Sequence, residues 1–469
     1  MEIRRRTIPL DQIVFAIPAA LFIFTPLLDL FIDYFQTITH TNRLGSFAVI
    51  PYLPQVIAAI LAVALVVRLI ARKDRNLVRK ALQRTRTFQT TLILFVLYVG
   101  LIMMSIAVNG FTYYAVHGHP YTLMSMWVYL ANVFLFLFIS SLVYDQCVKT
   151  FLVKACCVIA SLYALYGILE YNLQSYSGAL KVTFHNSNHY GYYLAVSIGL
   201  TSAMIVEMMG PRKAENGEAA SKPRLEIAAW CVMMFIQCFA LGYNNTLGAW
   251  IAVLFTHIFL FVVYKIKDGR FNFRVFVPFT VFIVSSVINS FFAKNIFSSI
   301  LRTLVDFGNI LKNAPGANRA GTGRWRIWKL TVKHIIDRPI FGNGIEGLLA
   351  IITREGSNTG SPHNEYLEYA AFFGVPAAVS YIAAIVSVFL HGLKNKKELN
   401  AITLVCLAGG FSYLVSAFFG VCFYYTVTYP FIFLGLSLNF TGKDAPPPLP
   451  APPAPSGQEP SAIDADSPA

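Results

Sequence analysis

Residues 361–374 read SPHNEYLEYAAFFG. A polar segment ends there in a histidine, an asparagine and a glutamate, and an apolar run opens that continues to about residue 390. A helix needs roughly 20 apolar residues to cross the hydrocarbon core of a bilayer. Applied outward along the chain, that length marks about twelve candidate spans, at 13–32, 47–67, 88–108, 122–144, 151–171, 189–209, 226–242, 247–265, 275–293, 365–390, 399–418 and 420–440. The expected fold is an all-α polytopic membrane protein with one large external loop before the last three spans.

Composition leads to the same class. Of 469 residues 56% are hydrophobic and 13% charged, with a mean hydropathy of +0.58. A soluble chain of this length needs more polar surface. The net charge of +14 would suggest nucleic acid in a soluble protein. Here the cations gather between apolar runs, the pattern that sets membrane topology, so no nucleic-acid partner is expected. The seven cysteines show no CxxC or metal spacing and read as small apolar residues. MEIRRR before the first apolar run has no small-residue cleavage site after it, so that run reads as a retained span.

Alternate connections are basic. Residues 68–86 carry eight Lys and Arg, 211–224 four, 265–274 four, and HGLKNKKE at 391–398 three, whereas NGFTYYAVHGHPYT has none and 172–188 only Lys181. This places both termini on the cytoplasmic side. The expected divisions are an N-terminal bundle at 1–293, an external loop at 294–363, a C-terminal bundle at 364–440 and a Pro-rich cytoplasmic tail at 441–469, too poor in apolar residues to fold. The external loop is nevertheless rich in cations, which long translocated loops tolerate.

That loop contains RWRIWKLTVKHII at 324–336, where Trp325, Trp328, Val332 and Ile335 recur at helical spacing with cations between them. Such a helix can anchor on lipid headgroups through its Trp rings, or bind phosphate through its arginines. GNGIEG at 342–347 matches a dinucleotide fingerprint, but no strand precedes it, and the glycines read as a tight turn. Ser361–Pro362 reads as a helix start that puts His363 in the first turn, facing the positive end of the helix dipole. Neutral imidazole there could act as a general base or simply cap the helix. His185 and His189 stand four apart with no carboxylate between them; they could form part of a metal site or ordinary interfacial polarity. Ionisable residues within the spans are few (Asp29, Asp33, Glu170 and Glu207), which argues against an ion-coupled transporter.

GTGRWRIWKLTVKHIIDRPIFGNG followed by PHNEYLEYAAFFGVPAAVSYI resembles the O-antigen ligase and O-antigen polymerase superfamily, teichuronic acid polymerases included. Its members carry an Arg-x-x-x-Trp segment, a Pro-x-x-Gly-x-Gly turn and a His-Asn pair opening a helix. The resemblance implies a GT-C-like, metal-independent glycosyltransferase of the inner (plasma) membrane with its active site on the outer face and no cofactor. Its donor would be an undecaprenyl-diphosphate-linked glycan, and its acceptor a lipid-linked or free glycan hydroxyl, in lipopolysaccharide or capsule assembly. Membrane lipids, and assembly-partner proteins, are the other expected partners. It implies His363 as base and Arg324 on the diphosphate, with Arg319, Arg326 and Arg338 as further diphosphate ligands. One position departs from the ligase pattern: NNTLGAW at 244–250 places Leu247 where a ligase has arginine, which leaves ligase and polymerase both open. The alternatives from other classes are a membrane transporter and a non-catalytic partner in a glycan assembly complex.

Overall fold

The computed structural model describes residues 10–39, 86–118, 122–143, 145–173, 178–184, 186–210, 224–292, 296–354, 361–394 and 400–438, with isolated positions near 8 and 56–63. The candidate span at 47–67 apart from those isolated positions, the basic connections at 68–85 and 211–223, His185 and the Pro-rich tail lie outside the described residues. Sixteen α-helices and no strand are found among the described residues. They are α1 (Leu10–Thr39), α2 (Arg86–Asn109), α3 (Tyr113–His117), α4 (Met126–Leu142), α5 (Gln146–Leu173), α6 (Ser187–Met208), α7 (Arg224–Asn244) and α8 (Leu247–Asp268) in the first part. α9 (Phe276–Asn289), α10 (Ile296–Leu311), α11 (Arg324–Asp337), α12 (Gly344–Arg354), α13 (Glu365–Phe373), α14 (Val375–Lys394), α15 (Ala401–Ala417) and α16 (Tyr424–Ser437) complete it.

Seven of these helices are long and apolar enough to cross a membrane: α1, α2, α5, α6, α7, α8 and α14. Each expected span except 47–67 coincides with helix, but α4, α9, α15 and α16 are shorter than the expected length. For α16 the reason is burial. Every residue of α16 is buried, so its ends are finished by protein and not by headgroups. Lys149 of α5, itself buried, donates to Leu436 O at 2.9 Å and Leu438 O at 3.0 Å. It thereby closes the C-terminal carbonyls of α16 with a positive charge, where the helix dipole favours one.

α6 is the centre of the bundle. It is almost wholly buried and packs against α7, α8 and α15. Lipid tails are as apolar as leucine, so helices here are joined by close packing and interhelical hydrogen bonds worth about 0.6 kcal/mol each. Ser412 donates to Ala195 O at 2.8 Å. Gln237 of α7 donates to Cys157 O at 3.0 Å and Ser161 Oγ at 2.9 Å, and accepts from Thr201 Oγ1 at 3.2 Å. The polar residues inside the spans therefore bond one helix to the next. Around them the periphery is apolar, with Ile93, Val96, Phe151, Leu162, Val232 and Phe255 all exposed. That surface matches a multi-pass membrane protein.

The expected span at 365–390 is two helices. α13 ends at Gly374, whose φ of +93° needs glycine, and a Cβ there would lie 1.9 Å from Ile340 O. The PIFGN turn docks into this break: Val375 N donates to Pro339 O and Asn343 N to Ala371 O, both at 2.8 Å. Ser105 of α2 donates to Phe341 O at 2.6 Å. Backbone groups freed by ending one helix inside the protein thus find partners in the polar excursion, as burial demands. The excursion itself is helical, made of α10, a 3-10 segment at Ala317–Gly323, α11 and α12. It lies against α13 through α11 and α12.

Candidate active site

At 100° per residue, Arg324, Trp328, Thr331 and Ile335 fall on one stripe of α11. Thr331 on that stripe is fully buried, so the stripe faces the protein. Trp328 Nε1 donates to Pro362 O at 2.8 Å, and its ring meets Phe418 edge-on at 5.5 Å. A Trp ring at headgroup depth was one expectation for this helix; Trp328 instead ties α11 to the segment holding His363, because an indole N–H needs a buried acceptor.

That segment departs from the expected geometry in one respect. α13 begins at Glu365 and is capped by Asn364, whose side chain accepts from Leu367 N at 3.0 Å. His363 therefore precedes the cap and is not in the first turn, and Pro362 is not the first helical residue. The φ of His363 is +52°, a left-handed conformation that costs a non-glycine residue about 1 kcal/mol or more. A short polar chain holds it there. His363 N donates to Ser361 Oγ at 3.2 Å, and Ser361 Oγ donates to Glu368 Oε2 at 2.8 Å.

His363 Nδ1 is buried with no hydrogen-bond partner among the described residues. Burial first, then the nearby Arg324 guanidinium, pushes the imidazole down to about 4. The ring is therefore neutral at pH 7, held so by burial and a neighbouring cation. The Arg324 charge also reaches the hydroxyl of Tyr192 on α6. Tyr192 in turn donates to Phe419 O at 3.0 Å. Beneath His363 lie two carboxyls, Glu365 (1% exposed) and Glu368 (2%). Tyr413 donates to Glu365 Oε1 at 2.6 Å, while Glu365 Oε2 is buried without a partner among the described residues. Neither forms an ion pair among the described residues.

Arg324 and His363 are thus brought together with Tyr192, Trp328 and the turn at Phe418–Phe419. The other sequence candidates fall elsewhere. Arg319 is exposed on the 3-10 segment, Arg338 is exposed at the C-cap of α11, and Arg326 is exposed on the face of α11 turned away from Arg324. Leu247, in the first turn of α8, packs against the apolar core. His189 is 1% exposed and stacks on Phe423 at 4.0 Å. No group of three or more His, Cys, Asp or Glu suited to a metal ion occurs among the described residues. Ser361 and Glu368, which brace His363, were missed, as were Glu365, which is buried, and Tyr192, which the Arg324 charge reaches. For the residues at 361–368 the signal was present in SPHNEYLEYAAFFG, where two glutamates flank an apolar face.

These elements define a multi-pass, all-α membrane protein with an arginine and a neutral histidine at one half-buried polar site. Residues 232–382 match the family model described as O-antigen ligase, Wzy_C. The matched region holds both Arg324 and His363, and it supports the O-antigen ligase superfamily for this chain, with O-antigen ligase or polymerase-type membrane function in general. No curated protein matches the chain.

Proposed function

We propose that the chain is a membrane glycosyltransferase that moves a glycan from undecaprenyl diphosphate to an acceptor hydroxyl at the outer leaflet of the plasma membrane. The alternation of basic connections supports that orientation, with both termini cytoplasmic. The observation that carries the reading is the pairing of a permanently charged Arg324 with a neutral His363, supplied by separate helical segments.

The acceptor oxygen attacks the anomeric carbon as His363 takes its proton. The bond from that carbon to the diphosphate oxygen breaks, and undecaprenyl diphosphate leaves with the electron pair. Arg324 offsets the charge gathering on the diphosphate, with donors already in place before the reaction. The same arginine depresses His363. A bound diphosphate neutralises Arg324 and relieves that depression, so donor binding raises the basicity of the base. The reaction is written without a metal or cofactor.

The test compares lipid-linked glycans from cells carrying the intact protein and His363→Ala. Accumulated undecaprenyl diphosphate bearing single repeats assigns a polymerase, and accumulated long chains a ligase. An unchanged profile with the variant present in the membrane overturns the reading.

A further inference from the structure

The face of α11 opposite Arg324 carries a second set of cations. At 100° per residue, Arg326, Lys329, Leu330 and Lys333 centre roughly 180° from the Arg324–Trp328 stripe. They line a cleft of about 350 Å³. Asn318 of the 3-10 segment, Ile327 and Ile352 of α12 complete its walls. Lys329 Nζ donates to Asn318 Oδ1 at 2.7 Å, which aims the ammonium along the cleft. None of Arg326, Lys329 and Lys333 forms an ion pair among the described residues. Three like charges on two turns of one helix repel one another. No acidic side chain among the described residues pairs with them to offset that cost, whereas a bound anion would.

We propose that this cleft is a second anion site, which binds the phosphate of a phosphate-bearing sugar or lipid headgroup and is separate from the Arg324 side. A sugar phosphate monoester carries about −1.5 to −2 at neutral pH on three acceptor oxygens, and a lipid phosphodiester less charge on two free oxygens; two point-charge lysines and one arginine fork suit either. The volume falls in the range of small-ligand sites, roughly 300–1,000 Å³. A helix with its side chains is about 10–12 Å across, too thick for one diphosphate to touch both faces. Resting on the glycosyltransferase reading, the cleft would anchor the phosphorylated part of an acceptor while the donor diphosphate meets Arg324.

The test uses the full chain in phosphatidylcholine nanodiscs, with bound ligands counted by native mass spectrometry. Glucose 6-phosphate is titrated in one arm, and phosphatidylglycerol is mixed into the disc in the other. Loss of all three cations (Arg326→Gln, Lys329→Gln, Lys333→Gln) weakens retention of at least one of these ligands roughly tenfold or more, as for several charge-assisted contacts. Arg324→Gln retains it as the unaltered protein does. Retained glucose 6-phosphate assigns a soluble phosphosugar, and retention of phosphatidylglycerol alone assigns a lipid headgroup. The proposal is overturned if the triple variant binds both ligands as the unaltered protein does, or if Arg324→Gln loses as much as the triple variant. Failure of His363→Ala to change cellular glycans leaves these outcomes intact, so the two readings fail separately.

Discussion

The two faces of α11 carry the same kinds of residue and live in different physics. On the inner face Arg324 sits beside a neutral imidazole, Trp328 bonds Pro362 O, and Thr331 has no exposure. On the outer face Arg326, Lys329 and Lys333 stand at the rim of an open cleft. A charge on the inner face acts at short range through a poorly screened interior; one on the outer face is screened by salt and water. Identical arginines two residues apart should therefore differ greatly in what their loss does.

The largest difference should come from Arg324→Gln. Removing one fixed donor from a developing oxyanion costs about 10²- to 10³-fold in turnover. The pH profile separates this from simple misfolding. His363 is depressed to about 4, so the free enzyme keeps its neutral base down to that pH and loses kcat/KM only below it. Without the Arg324 charge the imidazole rises, though burial still holds it below its ordinary value. The acid limb of kcat/KM then moves to higher pH in the variant. In the unaltered protein the acid limb of kcat should lie above that of kcat/KM, because bound diphosphate offsets Arg324. Coincident limbs in all three profiles would break the link between the two residues.

A middle-sized effect is expected of Ser361→Ala. It cuts the chain from Glu368 through Ser361 to His363 N and leaves a buried carboxyl and an amide without their partner, a cost of about 1–3 kcal/mol. The left-handed His363 loses its brace, so kcat should fall roughly tenfold, since small misplacements of a reacting group are costly. KM should change little. Ser361→Thr, which keeps the hydroxyl, should restore most of the rate; if it restores none, the hydroxyl is not what holds the imidazole.

How far these contrasts could be read beforehand differs by level. Helix positions were legible because apolar length is a direct consequence of bilayer thickness, and the helix at 324–337 because its apolar spacing repeats. The break at Gly374 was not, because AAFFGVPAAV is continuous in hydropathy; it becomes necessary only when Ile340 O comes within van der Waals range of that residue. The pairing of Arg324 with His363 came from the family resemblance and not from spacing, since residues so far apart in sequence meet only through the docking of α11 on α13. Tyr192 was out of reach for the same reason. The neutral state of His363 was anticipated, but its cause was not, because burial and a neighbouring guanidinium are properties of the assembled site. Which arginines share a face was available from the wheel alone: 324 and 326 differ by about 200° of helix.

The smallest effect is expected of Trp328→Phe, and it tests the inner face without touching charge. Phenylalanine keeps an aromatic ring against Phe418 but removes the N–H that bonds Pro362 O. One neutral hydrogen bond in a partly buried site is worth about 0.5–1.5 kcal/mol, so thermal unfolding in detergent should show a small loss of stability. Lys333→Gln on the outer face breaks no ion pair among the described residues and relieves like-charge repulsion, so it should leave stability unchanged or slightly raised. A destabilised Lys333→Gln beside an unaffected Trp328→Phe would mean that α11 is held by its outer face, and the division between the two faces would be reversed.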